Sequence, residues 1–277
     1  MNRTIPEGLS LLRVGAMLRR YLYLLRSSPP RILDLIYWPL MQMLTWGFLQ
    51  TYLAKAPAAG PIAGRLGLAA GALIGAMLLW DILFRGQLGF SVSFLEEMWS
   101  RNIANLMMSP LRVSEFILAL MAMSIIRLSI GFLPVTLLAI PFFGFNLWGL
   151  GLAVGFFFAN LILTGWAIGL FCSGVLLRYG LAAESLVWTM MFLLQPLACV
   201  FYPVGVLPKP LQAFAWVLPP TYVFEGLRAL LIEHQFRADL MGEAFVLNVI
   251  LFAAAVIGFR QMLQNARRAG SLLQTGE

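Results

Sequence analysis

The feature that most constrains this chain is a series of long apolar stretches with almost no charge inside them. A helix needs roughly 20 mostly apolar residues to cross the hydrocarbon core of a bilayer. Six segments of about that kind follow one another: Ile32 to Leu53, Leu66 to Phe84, Phe116 to Phe143, Leu147 to Leu177, Ser185 to Val206 (with Pro196 and Pro203 inside it) and Phe245 to Met262. Composition decides between a soluble core and a membrane. Hydrophobic residues make up 61% and charged residues 11% of the 277, where a soluble domain carries about 25% charge. So little charge cannot cover a protein of this size in water, whereas lipid demands an apolar exterior. The expected fold is therefore all-α and integral to the membrane, with six transmembrane helices in one domain spanning residues 1–277. No cleaved leader is expected, because six arginines precede the first apolar run and no small-residue cleavage site follows it closely.

The net charge of +7 arises from 19 Lys+Arg against 12 Asp+Glu. Membrane proteins retain Lys and Arg in their cytoplasmic loops, so this excess calls for no nucleic-acid partner, and none is expected. With the N-terminus inside, cytoplasmic segments hold Arg3, Arg13, Arg19, Arg20, Arg26, Arg31, Arg85, Arg101, Arg112, Arg178, Arg260, Arg267 and Arg268; outer loops hold Lys55, Arg65, Lys209, Arg228 and Arg237. That bias predicts a multi-pass protein with both termini cytoplasmic. Cys172 and Cys199 lie in apolar segments without metal-type spacing and read as small buried hydrophobes.

Three further stretches are amphipathic rather than spanning. Between Leu9 and Leu25, apolar positions interleave with Arg13, Arg19 and Arg20, which predicts a basic helix (residues 9–26) lying flat at the cytoplasmic interface with its arginines toward anionic lipid head groups. Ser27-Ser28-Pro29-Pro30 should end it. Between the second and third spans, Phe94, Leu95, Met98 and Trp99 mark one helical face and Glu96, Glu97 and Arg101 the other. A separate short helix over 92–103 is expected there, capped by Ser93 and supported by a Glu97–Arg101 pair at i,i+4. Beyond the fifth span, residues 203–232 are rich in proline and aromatics. Leu211, Phe214, Ala215 and Leu218 share a helical face, as do Tyr222, Phe224, Leu227 and Leu231. These predict short re-entrant or interfacial helices on the outer face, with Trp216 and Tyr222 at head-group depth.

Taken together, two of these stretches carry a resemblance. Glu96-Glu97-Met98-Trp99-Ser100-Arg101-Asn102 leads to Ser109-Pro110-Leu111-Arg112-Val113-Ser114-Glu115-Phe116, an entry of the form (S/T)-P-L-x-x-x-E into the next span. Downstream, Phe201-Tyr202-Pro203, Leu207-Pro208, Leu218-Pro219-Pro220-Thr221-Tyr222 and Glu225-Gly226-Leu227-Arg228 follow in order. In order, spacing and six-span frame the chain resembles the membrane subunit of a type-2 ATP-binding-cassette (ABC) exporter. The resemblance implies that Phe94, Glu96, Glu97, Met98, Trp99 and Arg101 belong to a coupling helix seated in a nucleotide-binding ATPase subunit. It implies that residues 9–26 form the interface helix, and that Tyr202, Pro203, Pro219, Pro220, Tyr222, Glu225 and Arg228 belong to external gate helices. It implies a second permease copy, most simply as a homodimer, in a bacterial cytoplasmic (inner) membrane. ATP and magnesium would be held by the partner subunit. The residues agree on that last point: no G-x-x-x-x-G-K-[ST] loop is present, and the only lysines are Lys55 and Lys209, both in expected outer loops.

Charges inside the expected spans need an account. Asp81 and Arg85 stand at i,i+4 and can neutralise each other; Arg127, about three turns into the third span, can snorkel, pair with Asp81 or face a pathway; Asp34 can pair with Arg31. Gly71/Gly75, Gly151/Gly155 and Gly165/Gly169 allow close helix approach. Rival functions lack their residues. An intramembrane serine protease needs a G-x-S-G turn, but Phe171-Cys172-Ser173-Gly174 lacks the first glycine and the only histidine, His234, falls in an outer loop. One histidine and scattered acids supply no metal site and no catalytic set. The alternative to an exporter subunit is a channel or ion-coupled carrier, which would call for a filter sequence or symmetric broken helices, and neither is seen.

Overall fold

Backbone polar groups in hydrocarbon must be hydrogen-bonded within their own segment, and the chain meets this demand with helices. The computed structural model describes residues 8–55 and 71–269, and its regular structure is helical throughout. The elements are α1 (Leu11–Arg26), α2 (Pro29–Lys55), α3 (Ala72–Trp99), α4 (Ile103–Met108), α5 (Val113–Phe143), α6 (Leu152–Tyr179), α7 (Glu184–Leu197), α8 (Lys209–Ala215), α9 (Pro219–Arg228) and α10 (Ala238–Ala269). Residues 66–70, where the second span was expected to begin, lie outside the described residues.

Five stretches are long and apolar enough to cross a membrane: Pro29–Lys55, Ala72–Trp99, Val113–Phe143, Leu152–Leu197 and Ala238–Arg268. The chain is a multi-pass membrane protein. Leu152–Leu197 is folded back on itself, because Gly180 adopts φ 68° and a 3-10 turn, Gly180–Ala183, separates α6 from α7. The expected fifth span over 185–206 is helical only in its first part. Helix α7 has 14 residues and stops at Leu197, just past Pro196; that is a rise of about 21 Å, short of the roughly 30 Å core. The other helices overrun their apolar windows, since polar end turns continue α-helical hydrogen bonding beyond the hydrocarbon.

Contacts along the helices fix their directions. Gly131 of α5 packs on Leu35 of α2, and Gly47 of α2 on Phe143, so these two run parallel. Gly89 of α3 packs on Ser124 of α5, and Phe94 on Phe116, so α3 runs against them. Gly165 and Gly169 of α6 meet Leu83 and Phe90 of α3 in parallel, and Thr164 and Gly174 of α6 meet Asn248 and Met262 of α10 likewise. Helix α7 returns beside α3 in the opposite sense, since Glu184 reaches Trp99 and Phe192 reaches Phe84. Thus α2, α5 and α7 point one way and α3, α6 and α10 the other. Helix α3 is central, with 89% of its apolar window buried, whereas α2 and α10 bury 17% and form the flanks.

The small-residue expectation holds for some pairs. A Cβ on Gly165 would come within 2.9 Å of the Leu83 carbonyl oxygen, and one on Gly89 within 2.9 Å of the Ser124 Cα, so glycine is what lets α3 touch α6 and α5. Gly151 and Gly155, by contrast, face open space, and Gly151 (φ 63°) serves the turn into α6. At the start of α3 the orphan amides of Leu73 and Ile74 donate to the buried Gln50 Oε1 at 3.1 and 3.2 Å. A side chain from α2 thereby caps a helix end that lipid would leave unsatisfied.

Candidate functional site

The last turn of α3 carries two adjacent carboxylates, and the surrounding helices are built onto them. Glu96 accepts from Arg127 Nη2 at 2.9 and 2.8 Å and from Arg31 Nη1 at 3.0 Å, which joins α5 and α2 to α3. Glu97 is fully buried, pairs with Arg20 of α1 and accepts from Asn102 Nδ2 at 2.8 Å. One turn into α5, Glu115 accepts from the backbone of Arg112 at 3.0 Å, closing the helix start. It also accepts from Ser10 N at 2.8 Å and Arg13 Nη2 at 2.6 Å, tying down α1. The carboxylate raises the Arg13 guanidinium pKa above its ordinary value by accepting its hydrogen bonds. Met17, Tyr21 and Leu25 seal the α1 contact with apolar surface.

This arrangement corrects several sequence expectations. No separate helix spans 92–103: residues through Trp99 continue α3, because Gly86 and Gly89 are close-approach positions rather than helix ends. Ser93 is not a cap; its hydroxyl donates back to the Gly89 carbonyl at 2.8 Å in mid-helix. The Glu97–Arg101 pair does not form, since the helix ends at Trp99 and Arg101 leaves it in the left-handed region at φ 53°. Phe94, Glu96, Glu97 and Met98 are buried inside the bundle. Arg127 pairs with Glu96 rather than Asp81, which forms the i,i+4 pair with Arg85 at 2.8 Å. Arg31 likewise turns to Glu96 instead of Asp34.

What this end presents outward is the turn and the short helix after it. Trp99 is 44% exposed, and Met108, on α4, is 78% exposed. Arg101 and Asn105 lie exposed between them. Trp99 Nε1 donates to Glu184 Oε2 at 3.1 Å, so the tip is also tethered to the start of α7. The exposed apolar-and-basic tip therefore stands on a buried ionic base that reaches α1, α2 and α5.

At the opposite end, the expected short helices appear as α8 and α9, followed by a π-turn, Ala229–Glu233. Pro219 and Pro220 occupy the first two positions of α9, where no N–H is needed, and both are buried. Glu225 Oε1 accepts from Val204 N at 2.8 Å, and Arg228 Nη1 donates to the Cys199 carbonyl at 3.0 Å. Glu225 and Arg228 also pair with each other at 3.0 Å. Together they hold α9 against the irregular segment 198–203, in which Cys199 has φ 53°. Cys199 and Cys172 are both buried and not joined in a disulfide. Tyr202 donates to the Pro196 carbonyl at 2.6 Å, and Tyr222 to the Trp216 carbonyl at 2.8 Å. Pro203 opens the 3-10 turn Val204–Val206.

Sequence reading did not anticipate Arg13, Arg20, Arg31 and Asn102 as partners of Glu115, Glu97, Glu96 and Glu97 respectively. The one legible signal was Glu115, three residues after Arg112, where an acid closes a capping box. The buried trio Asn160, Thr164 and Asn248, which joins α6 to α10 with Thr164 Oγ1 and Asn248 Oδ1 at 2.6 Å, was also missed.

No curated protein matches the chain. A family model described as ABC-2 type transporter matches residues 17–232, a stretch that includes Glu96 to Glu115 and the α8–α9 region. The chain belongs to the ABC-2 type transporter family and is a membrane permease component of such a transporter.

Proposed function

We propose that the chain is the permease subunit of an ATP-driven exporter in a bacterial inner membrane, powered by a separate ATPase subunit. In this reading both termini and the α1 end face the cytoplasm, α7 together with residues 198–203 completes a sixth crossing, and α8 and α9 form the external gate. Two copies surround the pathway. The observation that carries the proposal is the exposed tip Trp99–Met108 standing on the Glu96/Glu97 ion lattice. A soluble motor can grip Trp99, Arg101, Asn105 and Met108, while Glu96 and Glu97 pass its displacement to α1, α2 and α5 without touching it. The coupling role is thus divided between surface residues that dock and buried residues that transmit.

Co-expression with ATPases encoded beside the gene tests this. The wild-type chain should co-purify with one of them and change its ATPase rate. Arg101→Glu with Met108→Asp should abolish both effects while leaving insertion and the unfolding temperature unchanged. Full co-purification by that double variant would remove the docking assignment, and failure of every neighbouring ATPase to bind would remove the exporter reading.

A further inference from the structure

Between α6, α7 and α10 lies a groove of about 360 Å³, lined by Ala167, Ile168 and Phe171 of α6, Met190 and Leu194 of α7, and the Leu251–Met262 face of α10. Leu218, Pro219 and Pro220 roof its outer end. Helices α7 and α10 both pack on α6, without comparable contact between themselves, so the groove has α6 as its floor. Its one polar lining side chain, Thr164, is already engaged with Asn160 and Asn248 and offers nothing to a polar ligand. From Leu251 to Met262 the groove runs about 16 Å along α10. Its volume then corresponds to a mean cross-section of about 22 Å². That admits one slender chain; a helix, about 10 Å across, does not enter it.

The floor helix continues toward charge. Arg178 lies seven residues beyond Phe171, on the same face of α6 and about 10 Å nearer its end. It is exposed and has no carboxylate partner among the described residues; its guanidinium lies over the Tyr179 ring at 5.3 Å. An apolar slot of one-chain width, with a guanidinium flanked by a phenol about 10 Å beyond its end on the same helix face, matches the outline of a phospholipid: hydrocarbon tail in the slot, phosphate on the cation.

We propose that this groove holds one acyl chain of a phospholipid whose phosphate rests on Arg178. The lipid comes from the cytoplasmic leaflet, an assignment that rests on the orientation given under Proposed function. Because Pro219 and Pro220 roof the slot, the bound chain supports the base of α9.

The test uses the purified full chain without any ATPase, so its result is independent of whether a motor binds. Wild-type protein is reconstituted in nanodiscs of phosphatidylglycerol or phosphatidylcholine, re-extracted, washed in detergent, and the retained lipid measured by native mass spectrometry. Gly258 lines the groove and a Cβ there meets nothing within 4 Å, so Gly258→Leu puts a side chain at the groove with open space at its Cβ. The expected result is one retained phospholipid per wild-type chain. Gly258→Leu should retain roughly tenfold less at an unchanged unfolding temperature, the loss that follows when about two methylenes lose their apolar site. Arg178→Gln should abolish the preference for phosphatidylglycerol while retaining lipid. Equal retention by wild type and Gly258→Leu would overturn the site. So would disulfide cross-linking between copies through Ala254→Cys, in a background lacking Cys172 and Cys199, because a second copy would then cover the groove.

Discussion

The two ends of the bundle are held by different chemistry. At the α1 end the helices are joined by charge: Glu96 and Glu97 of α3 and Glu115 of α5 gather Arg127 of α5, Arg31 of α2, and Arg20 and Arg13 of α1. At the α8–α9 end the joints are made to backbone: Glu225 to the Val204 amide, Arg228 to the Cys199 carbonyl, and two tyrosine hydroxyls to carbonyls of nearby turns. An ionic lattice between whole helices transmits displacement, because moving one partner leaves a buried charge uncompensated. Backbone staples across a turn stabilise one local shape and release it at the cost of single hydrogen bonds. The first arrangement suits an end that is pushed. The second suits an end that opens.

The largest effect that can break this contrast is at Arg127. Arg127→Ala leaves Glu96 buried beside only the half-exposed Arg31, and a loss of about 3–5 kcal/mol is expected, visible as a collapse of the detergent-solubilised unfolding transition. A variant within experimental error of wild type would show that the lattice does not hold the end together. Next comes the α3–α5 approach. Gly89→Leu must push Ser124 away and should lose about 1–3 kcal/mol by the same measurement. At the other end, Glu225→Ala frees the Val204 amide and leaves Arg228 without its carboxylate, for an expected cost of about 1–3 kcal/mol. Cysteine accessibility at residues 199–204 should rise in that variant, while the α1 end remains protected. The smallest stability effect, within about 0.5 kcal/mol, belongs to the exposed tip, where Arg101→Glu with Met108→Asp should change ATPase binding alone.

Much of the architecture was legible because apolar length is a one-dimensional property. The long helices, the amphipathic α1 and the short helices α8 and α9 all left periodic or compositional marks. The end of the second span was misread because the apolar run stops at Phe84, whereas the helix continues to Trp99 through Gly86 and Gly89, whose meaning depends on the helices packed against them. The Glu97–Arg101 pairing failed for a related reason: i,i+4 spacing has force only if the helix continues, and this one ends at Trp99. Of the six residues named for coupling, the structure leaves Trp99 and Arg101 at the surface. The other four could not be told apart from them by hydrophobic pattern, since in a multi-helix bundle a carboxylate is as readily buried against a neighbouring arginine as exposed.

Sequence alone determined that this chain lives in lipid, crosses it repeatedly as helices, concentrates its arginines at one end and carries the loops of an ABC-2 permease. The membrane residence and the repeated helical crossings follow from transfer free energies summed along the chain, which need no knowledge of neighbours; the loops were legible only through their resemblance in motif order and spacing. Only the tertiary structure decided which acid meets which arginine, which glycines are contacts and which are turns, and that α7 stops short at Leu197. The ion pairs and the glycine contacts depend on residues about 30 to 100 positions apart meeting at a few ångströms, as Arg127 meets Glu96 and Arg13 meets Glu115.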